Sequence, residues 1–175
     1  MAEFVISRPD GSAQVVSGSQ SAPPPTDAAV YAASTSTVGQ TPPRVDLRPY
    51  ITDVENQGGL NSCVANAVAG AYEYLVKRHL GDDAYDVSRL FVYYNARAID
   101  NAADRDEGAV ISSAITGLRD HGACSEDTWP YSEGTVNEAP HDDAYDEAAG
   151  FLIEDFQRVP TDLDAWRHVL AEGYP

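Results

Sequence analysis

Apolar positions recur with helical period over long stretches of the chain. Val64, Ala67, Val68, Ala71 and Leu75 fall at i, i+3, i+4, i+7 and i+11. Ala65, Ala69 and Gly70 fill the other faces, so this helix is expected inside a core, turning polar only from Glu73, Lys77 and Arg78. Ser88 is placed to cap a second helix with Leu90, Phe91, Tyr94 and Ala98 on one face. Ile111, Ala114, Ile115 and Leu118 mark a third, stopping at His121-Gly122 with the glycine as C-cap. Thr161-x-x-Asp164 caps a last helix that ends at Gly173 and is expected to bury Leu163, Trp166, Val169 and Leu170. Strand signals are shorter. Phe4–Ser7 and Ala13–Val16 flank a Pro-Asp-Gly turn and predict a hairpin, and Phe151 to Val159 alternates weakly as a strand.

This pattern divides the chain into a β-hairpin (1–16), a Pro/Ser/Thr-rich flexible linker (17–43), a helical region (44–130) and the start of a more β-rich region (131–175). The formal net charge of −17, with Lys77 the only lysine, repels nucleic acid and anionic membranes, and both are discounted as partners. Such an acidic balance also suits a protein working in high salt. Asp-Asp-Ala-Tyr-Asp occurs at 82–86 and again at 142–146, but neither copy has the ligand spacing of a calcium loop. Both are expected to be solvated acidic loops, and no metal site is expected. Met1 to Ser7 has no basic n-region and no sustained apolar run, and no stretch approaches a membrane span, so a cytoplasmic protein is the default expectation.

Two cysteines make no disulfide framework. Cys124, after Gly122-Ala123, reads as a half-buried free thiol. Cys63 stands differently. It opens the first helix directly after Asn56-Gln57-Gly58-Gly59-Leu60-Asn61-Ser62, where Gly58-Gly59 permits an irregular loop and Asn61-Ser62 offers capping side chains. Unpaired first-turn N–H groups and the positive end of the helix dipole favour a thiolate there. Gln57, six residues upstream, could bring its amide round beside the sulfur, and a side-chain amide with a backbone N–H aimed at one point makes an oxyanion hole. Taken alone, Cys63 reads more readily as a small buried residue at a helix start, and only the surrounding residues reverse that reading.

Gln57-Gly58, four residues, then Cys63 and an Ala-rich helix resembles the nucleophile segment of the papain-like cysteine peptidases. Arg44-Val45-Asp46-Leu47-Arg48 resembles the entry of their mature domains, Val87 to Asn95 their second helix, and Thr128-Trp129-Pro130-Tyr131 the segment leaving their helical lobe. The match departs at Leu60, where the animal and plant enzymes carry a disulfide cysteine, at Asn61, which replaces a glycine, and at Val64 and Asn66, which replace aromatic residues. The version here is closer to the bacterial and archaeal members, which lack that disulfide.

The resemblance implies an α+β, papain-like cysteine proteinase fold with its helical lobe present and its β-rich lobe truncated. It implies a peptidase acting through a thioester without a cofactor, with Cys63 and Gln57 catalytic and a peptide or protein as substrate. Gly108 takes the place of the glycine that lines the substrate groove, with Gly58 and Gly59 in the loop beside it, although Gly108 could simply be a loop glycine of positive φ. The family's histidine and asparagine lie about 130–150 positions beyond the cysteine, whereas 175 − 63 leaves 112 positions after Cys63. His79, His121, His141 and His168 are poor substitutes for that base. The chain is therefore expected to lack the downstream pair and to be inactive alone. A non-catalytic papain-like module that binds extended peptide is the alternative.

Overall fold

A computed structural model describes residues 4–7, 11–16, 19–20, 22, 28–33, 41–81 and 85–175. Helices α1 (Cys63–Leu80), α2 (Arg89–Ile99) and α3 (Ile111–Asp120) pack on one another around Val64, Ala65, Ala69, Leu90, Tyr93, Ala96, Ala114 and Leu118. Small residues on α1 let α2 approach closely enough to be buried nearly all round, which leaves only Tyr94 half-buried and Ala98 exposed on its expected core face. Ser88 caps α2 as expected, its hydroxyl accepting from Phe91 N–H at 3.1 Å. Gly122 ends α3 with φ +81°, its N–H donating to the Leu118 carbonyl at 3.0 Å.

Strands are few and short. β1 (Phe4–Ser7) and β2 (Ala13–Val16) form the expected antiparallel hairpin, Phe4 opposite Val16, with Gly11 at φ +83° in the turn. The linker expected over 17–43 lies mostly outside the described residues, yet two of its pieces are paired. β3 (Ser19–Gln20) runs parallel to β5 (Ala109–Val110), and β4 (Ala29–Val30) runs parallel to β6 (Gln157–Arg158). Of the strand expected over 151–159 only β6 forms, because a two-residue partner supplies so short a ladder.

Other expectations are corrected by burial. Glu73, read as the start of a polar face, is 2% exposed; it accepts from Val87 N–H at 2.8 Å and from Thr52 Oγ1 at 2.6 Å. The acidic stretch 142–146 is not a loop but part of α4 (Asp142–Ala148), started by His141, whose Nδ1 accepts from Ala144 N–H at 3.3 Å. Its twin at 82–84 lies outside the described residues. Helix α5 (Leu163–Glu172) is capped by Asp162, not Thr161, and buries none of its residues; Leu163, Trp166 and Leu170 are 60%, 49% and 42% exposed. No described element covers them. The stripe Ala67, Val68, Ala71 and Leu75 of α1 is likewise not sealed in a core. It lines a groove of about 870 Å³ with Ile115, Val159, Val169 and Tyr174. Among the described residues no helix is long and apolar enough to cross a membrane.

Candidate active site

Cys63 is the first residue of α1 and is half-buried. The capping expected of Asn61 and Ser62 is not made by Ser62, the N-cap residue, whose side chain makes no bond to the helix start. Both are turned elsewhere. Ser62 Oγ lies 2.6 Å from the Tyr131 hydroxyl and accepts from Asn66 Nδ2 at 3.0 Å, while Asn61 reaches Asp106. Backbone N–H groups of Cys63 and Val64 therefore remain for the sulfur, and they pull its pKa down. Burial works against them more strongly, and the thiol stands above its ordinary value. A thiolate expected from the helix start alone is thus not favoured here, because desolvation outweighs the two peptide N–H groups that face the sulfur.

The loop before Cys63 is held on every side. Gln57 donates from Nε2 to the Leu60 carbonyl at 2.8 Å, and its own carbonyl accepts from the Tyr131 hydroxyl at 2.8 Å. One amide proton is thereby fixed and the other stays available. Gly58 adopts φ +59°, and a Cβ there would lie 2.5 Å from Glu133 Oε1, which accepts from Gly59 N–H at 2.8 Å. Gly58 is favoured by its left-handed φ, whereas a Cβ on Gly59 would meet Glu133 Oε1 at an ordinary contact distance of 3.5 Å. Tyr131 is fixed in turn by Arg89, whose guanidinium carbon lies 4.1 Å from the ring centre and whose Nε lies 2.9 Å from Glu55.

Gly108 needs its positive φ of +90°, but its N–H is not free for a peptide: it donates to the Tyr93 hydroxyl at 3.0 Å. The backbone that pairs with an extended strand is the next two residues, Ala109–Val110, against which β3 lies. Gln20 Nε2 adds bonds to the Glu107 carbonyl at 2.9 Å and the Gly108 carbonyl at 3.4 Å.

Among the described residues no imidazole is hydrogen-bonded to Cys63. His141 contacts the Thr128 carbonyl and the Trp129 ring, His121 packs on Tyr145, His168 contacts the Asp164 carbonyl, and His79 is exposed. Cys124 is fully buried rather than half-buried, and burial pushes its thiol up to about 12. Sequence reasoning passed over Asp106, Glu133, Tyr93 and Arg89. No spacing signal joins residues that meet only through folding.

No protein-family model matches the chain. It is 34% identical over 143 residues to an uncharacterized peptidase C1-like protein of Acanthamoeba polyphaga mimivirus, covering 74% of this chain and 46% of that protein. Its structure is similar to that of xylellain, a cysteine protease from Xylella fastidiosa, with TM-score 0.84, 30% identity and coverage of 90% of this chain and 63% of that one. The Amb a 11 cysteine protease of ragweed pollen, in its proform, matches with TM-score 0.59 and 27% identity over 75% of this chain and 39% of its own. Digestive procathepsin L 3 of Tenebrio molitor shares the fold at TM-score 0.62 and 18% identity, over 77% of this chain and 43% of its own. The chain thus spans about half to two thirds of the length of the relatives it matches first. It is similar to the papain-like cysteine proteases and has their fold over the part it spans.

Proposed function

We propose that this chain is the N-terminal part of a cysteine peptidase that cleaves peptide bonds through a thioester. The observation that carries the reading is the Cys63 thiol at the start of α1, met by the N–H groups of Cys63 and Val64 beside a loop whose Gln57 amide is anchored on the Leu60 carbonyl. An imidazole takes the thiol proton as Cys63 Sγ attacks the peptide carbonyl carbon. The oxygen takes up the negative charge, held by the second Gln57 N–H and the Cys63 N–H. The C–N bond then breaks as the imidazole gives a proton to the leaving amine, and water hydrolyses the thioester to release the acid and restore the thiol. That imidazole comes from sequence following residue 175, because His121, His141 and His168 are engaged elsewhere and His79 is exposed on the far end of α1. Alone, the chain binds peptide without turning it over.

Extended peptide is the substrate class that the edge at Ala109–Val110 favours, since backbone pairing there is indifferent to side chains. Gly58, Gly59 and Gly108 let the backbone pass close to it. The test is turnover of a peptide amide by the longer protein: Cys63→Ala is expected to abolish it, and undiminished turnover would remove the reading. A non-catalytic peptide-binding module is the second reading, supported by the thiol that burial holds protonated and by the strand already seated on the edge. Peptide affinity in the longer protein without turnover, unchanged by Cys63→Ala, would select it.

A further inference from the structure

We propose that Asp106 and Tyr93 form a clamp that sets the separation between the nucleophile loop and the peptide-binding edge, an inference that rests on the peptidase reading of Cys63. Asn61, two residues before Cys63, donates its backbone N–H to the Asp106 carboxylate at 3.1 and 3.2 Å. Its side-chain Nδ2 donates to the Asp106 carbonyl at 2.8 Å and to Oδ2 at 3.3 Å. On the other side the Tyr93 hydroxyl donates to Asp106 Oδ1 at 2.6 Å and accepts from Gly108 N–H at 3.0 Å. One continuous run, Asn61 to Asp106 to Tyr93 to Gly108, thus joins the loop that ends at the thiol to the residue that begins the pairing edge.

The clamp is built on a rigid support. Tyr93 is fully buried on α2, with the Arg97 guanidinium carbon 4.0 Å from its ring centre, so its hydroxyl cannot follow a moving loop. The Gly108 end of the run is buried while Asn61 and Asp106 are half-buried, so loss of the Tyr93 hydroxyl leaves the buried Gly108 N–H without its partner. Neither Asp106 nor Tyr93 touches the reacting atoms. They act through distance, because a peptide held on one loop must meet a sulfur held on the other within about 3–3.5 Å, and a misplacement of about 1 Å costs on the order of a hundredfold in rate.

The test compares Cys63 alkylation by iodoacetamide, which needs no peptide edge, with alkylation by a dipeptidyl epoxide, which does. Each rate in the folded 175-residue chain is divided by its rate in the chain unfolded in guanidinium. In the unsubstituted chain the epoxide is expected to gain more from folding than iodoacetamide. Tyr93→Phe removes one oxygen atom and is expected to keep the iodoacetamide rate within about twofold while lowering the epoxide rate about tenfold. Asp106→Ala is expected to change both. Asp106→Asn, whose amide oxygen still accepts from Asn61 N–H, is expected to restore the iodoacetamide rate. Should Asp106→Ala fail to fold by circular dichroism, Tyr93→Phe decides alone. Equal slowing of both reagents in Tyr93→Phe, or no change in either, would overturn the clamp while leaving the peptidase reading intact. An epoxide that gains no more from folding than iodoacetamide in the unsubstituted chain would also overturn the clamp, while the peptidase reading is decided separately by turnover in the longer protein.

Discussion

Tyr131 and Gln57, 74 positions apart in sequence, meet through one hydrogen bond of 2.8 Å from the phenol to the Gln57 carbonyl, and the same hydroxyl lies 2.6 Å from Ser62 Oγ. A single oxygen atom therefore holds both ends of the loop that carries the amide and the thiol. Tyr131→Phe is expected to destabilise the fold by about 1–3 kcal/mol, because the Gln57 carbonyl loses its partner. Urea denaturation checks this through a lower midpoint at unchanged slope.

Gln57→Ala separates anchoring from catalysis. It removes the amide that Leu60 holds, and in the longer protein it is expected to lower kcat by about 10²–10³ with little effect on KM, as loss of an oxyanion donor does. Steady-state kinetics on a peptide amide measures it. A purely structural glutamine would raise KM or lower the folded fraction instead.

The chain carries an internal control for backbone strain. Gly122 and Gly11 share nearly the same φ, +81° and +83°, but a Cβ on Gly122 would lie 1.9 Å from the Ala148 carbonyl oxygen, while one on Gly11 would meet nothing within 4 Å among the described residues. Gly11→Ala is expected to cost only the left-handed conformation, about 1–2 kcal/mol. Gly122→Ala adds a clash with backbone, so a loss well above about 2 kcal/mol is expected. Thermal denaturation of the two variants gives the ordering.

Local signals carried much of this fold. Ser88 as a cap, Gly122 as a stop and the Pro-Asp-Gly hairpin are each decided within a few residues, where propensity and turn chemistry act. Burial on α5 and along the Val68–Leu75 stripe was misjudged because periodicity reports which face is apolar, not whether anything covers it. At the candidate site, spacing put Gln57 and Cys63 on one loop at a helix start, and the structure has Cys63 first in α1 with Gln57 Nε2 on the Leu60 carbonyl. The groups that hold them, Tyr131, Asp106 and Glu133, come from distant segments, and their polar atoms meet only once α1, α2 and the 131–135 turn have packed.

Strand β3 covers the edge at Ala109–Val110, so the proposed pairing of a peptide there requires its displacement. Gln20→Ala removes the side-chain bonds to the Glu107 and Gly108 carbonyls and is expected to speed dipeptidyl-epoxide labelling of Cys63 several-fold, roughly the worth of one hydrogen bond. Iodoacetamide labelling should not change. A rise in both rates would mean that β3 shields the thiol itself.

The pH profile of Cys63 alkylation, read in this chain and in a longer protein that continues beyond residue 175, tests the central claim most directly. Burial raises the thiol here, so in this chain the rate is expected to climb only above the ordinary cysteine range near about 8.5. Cys124, fully buried and pushed up to about 12, should stay unlabelled in both. With a partner imidazole the thiolate is expected to persist to several pH units lower, as in a thiolate–imidazolium pair. The same late rise in both proteins would contradict Cys63 as the nucleophile of a peptidase.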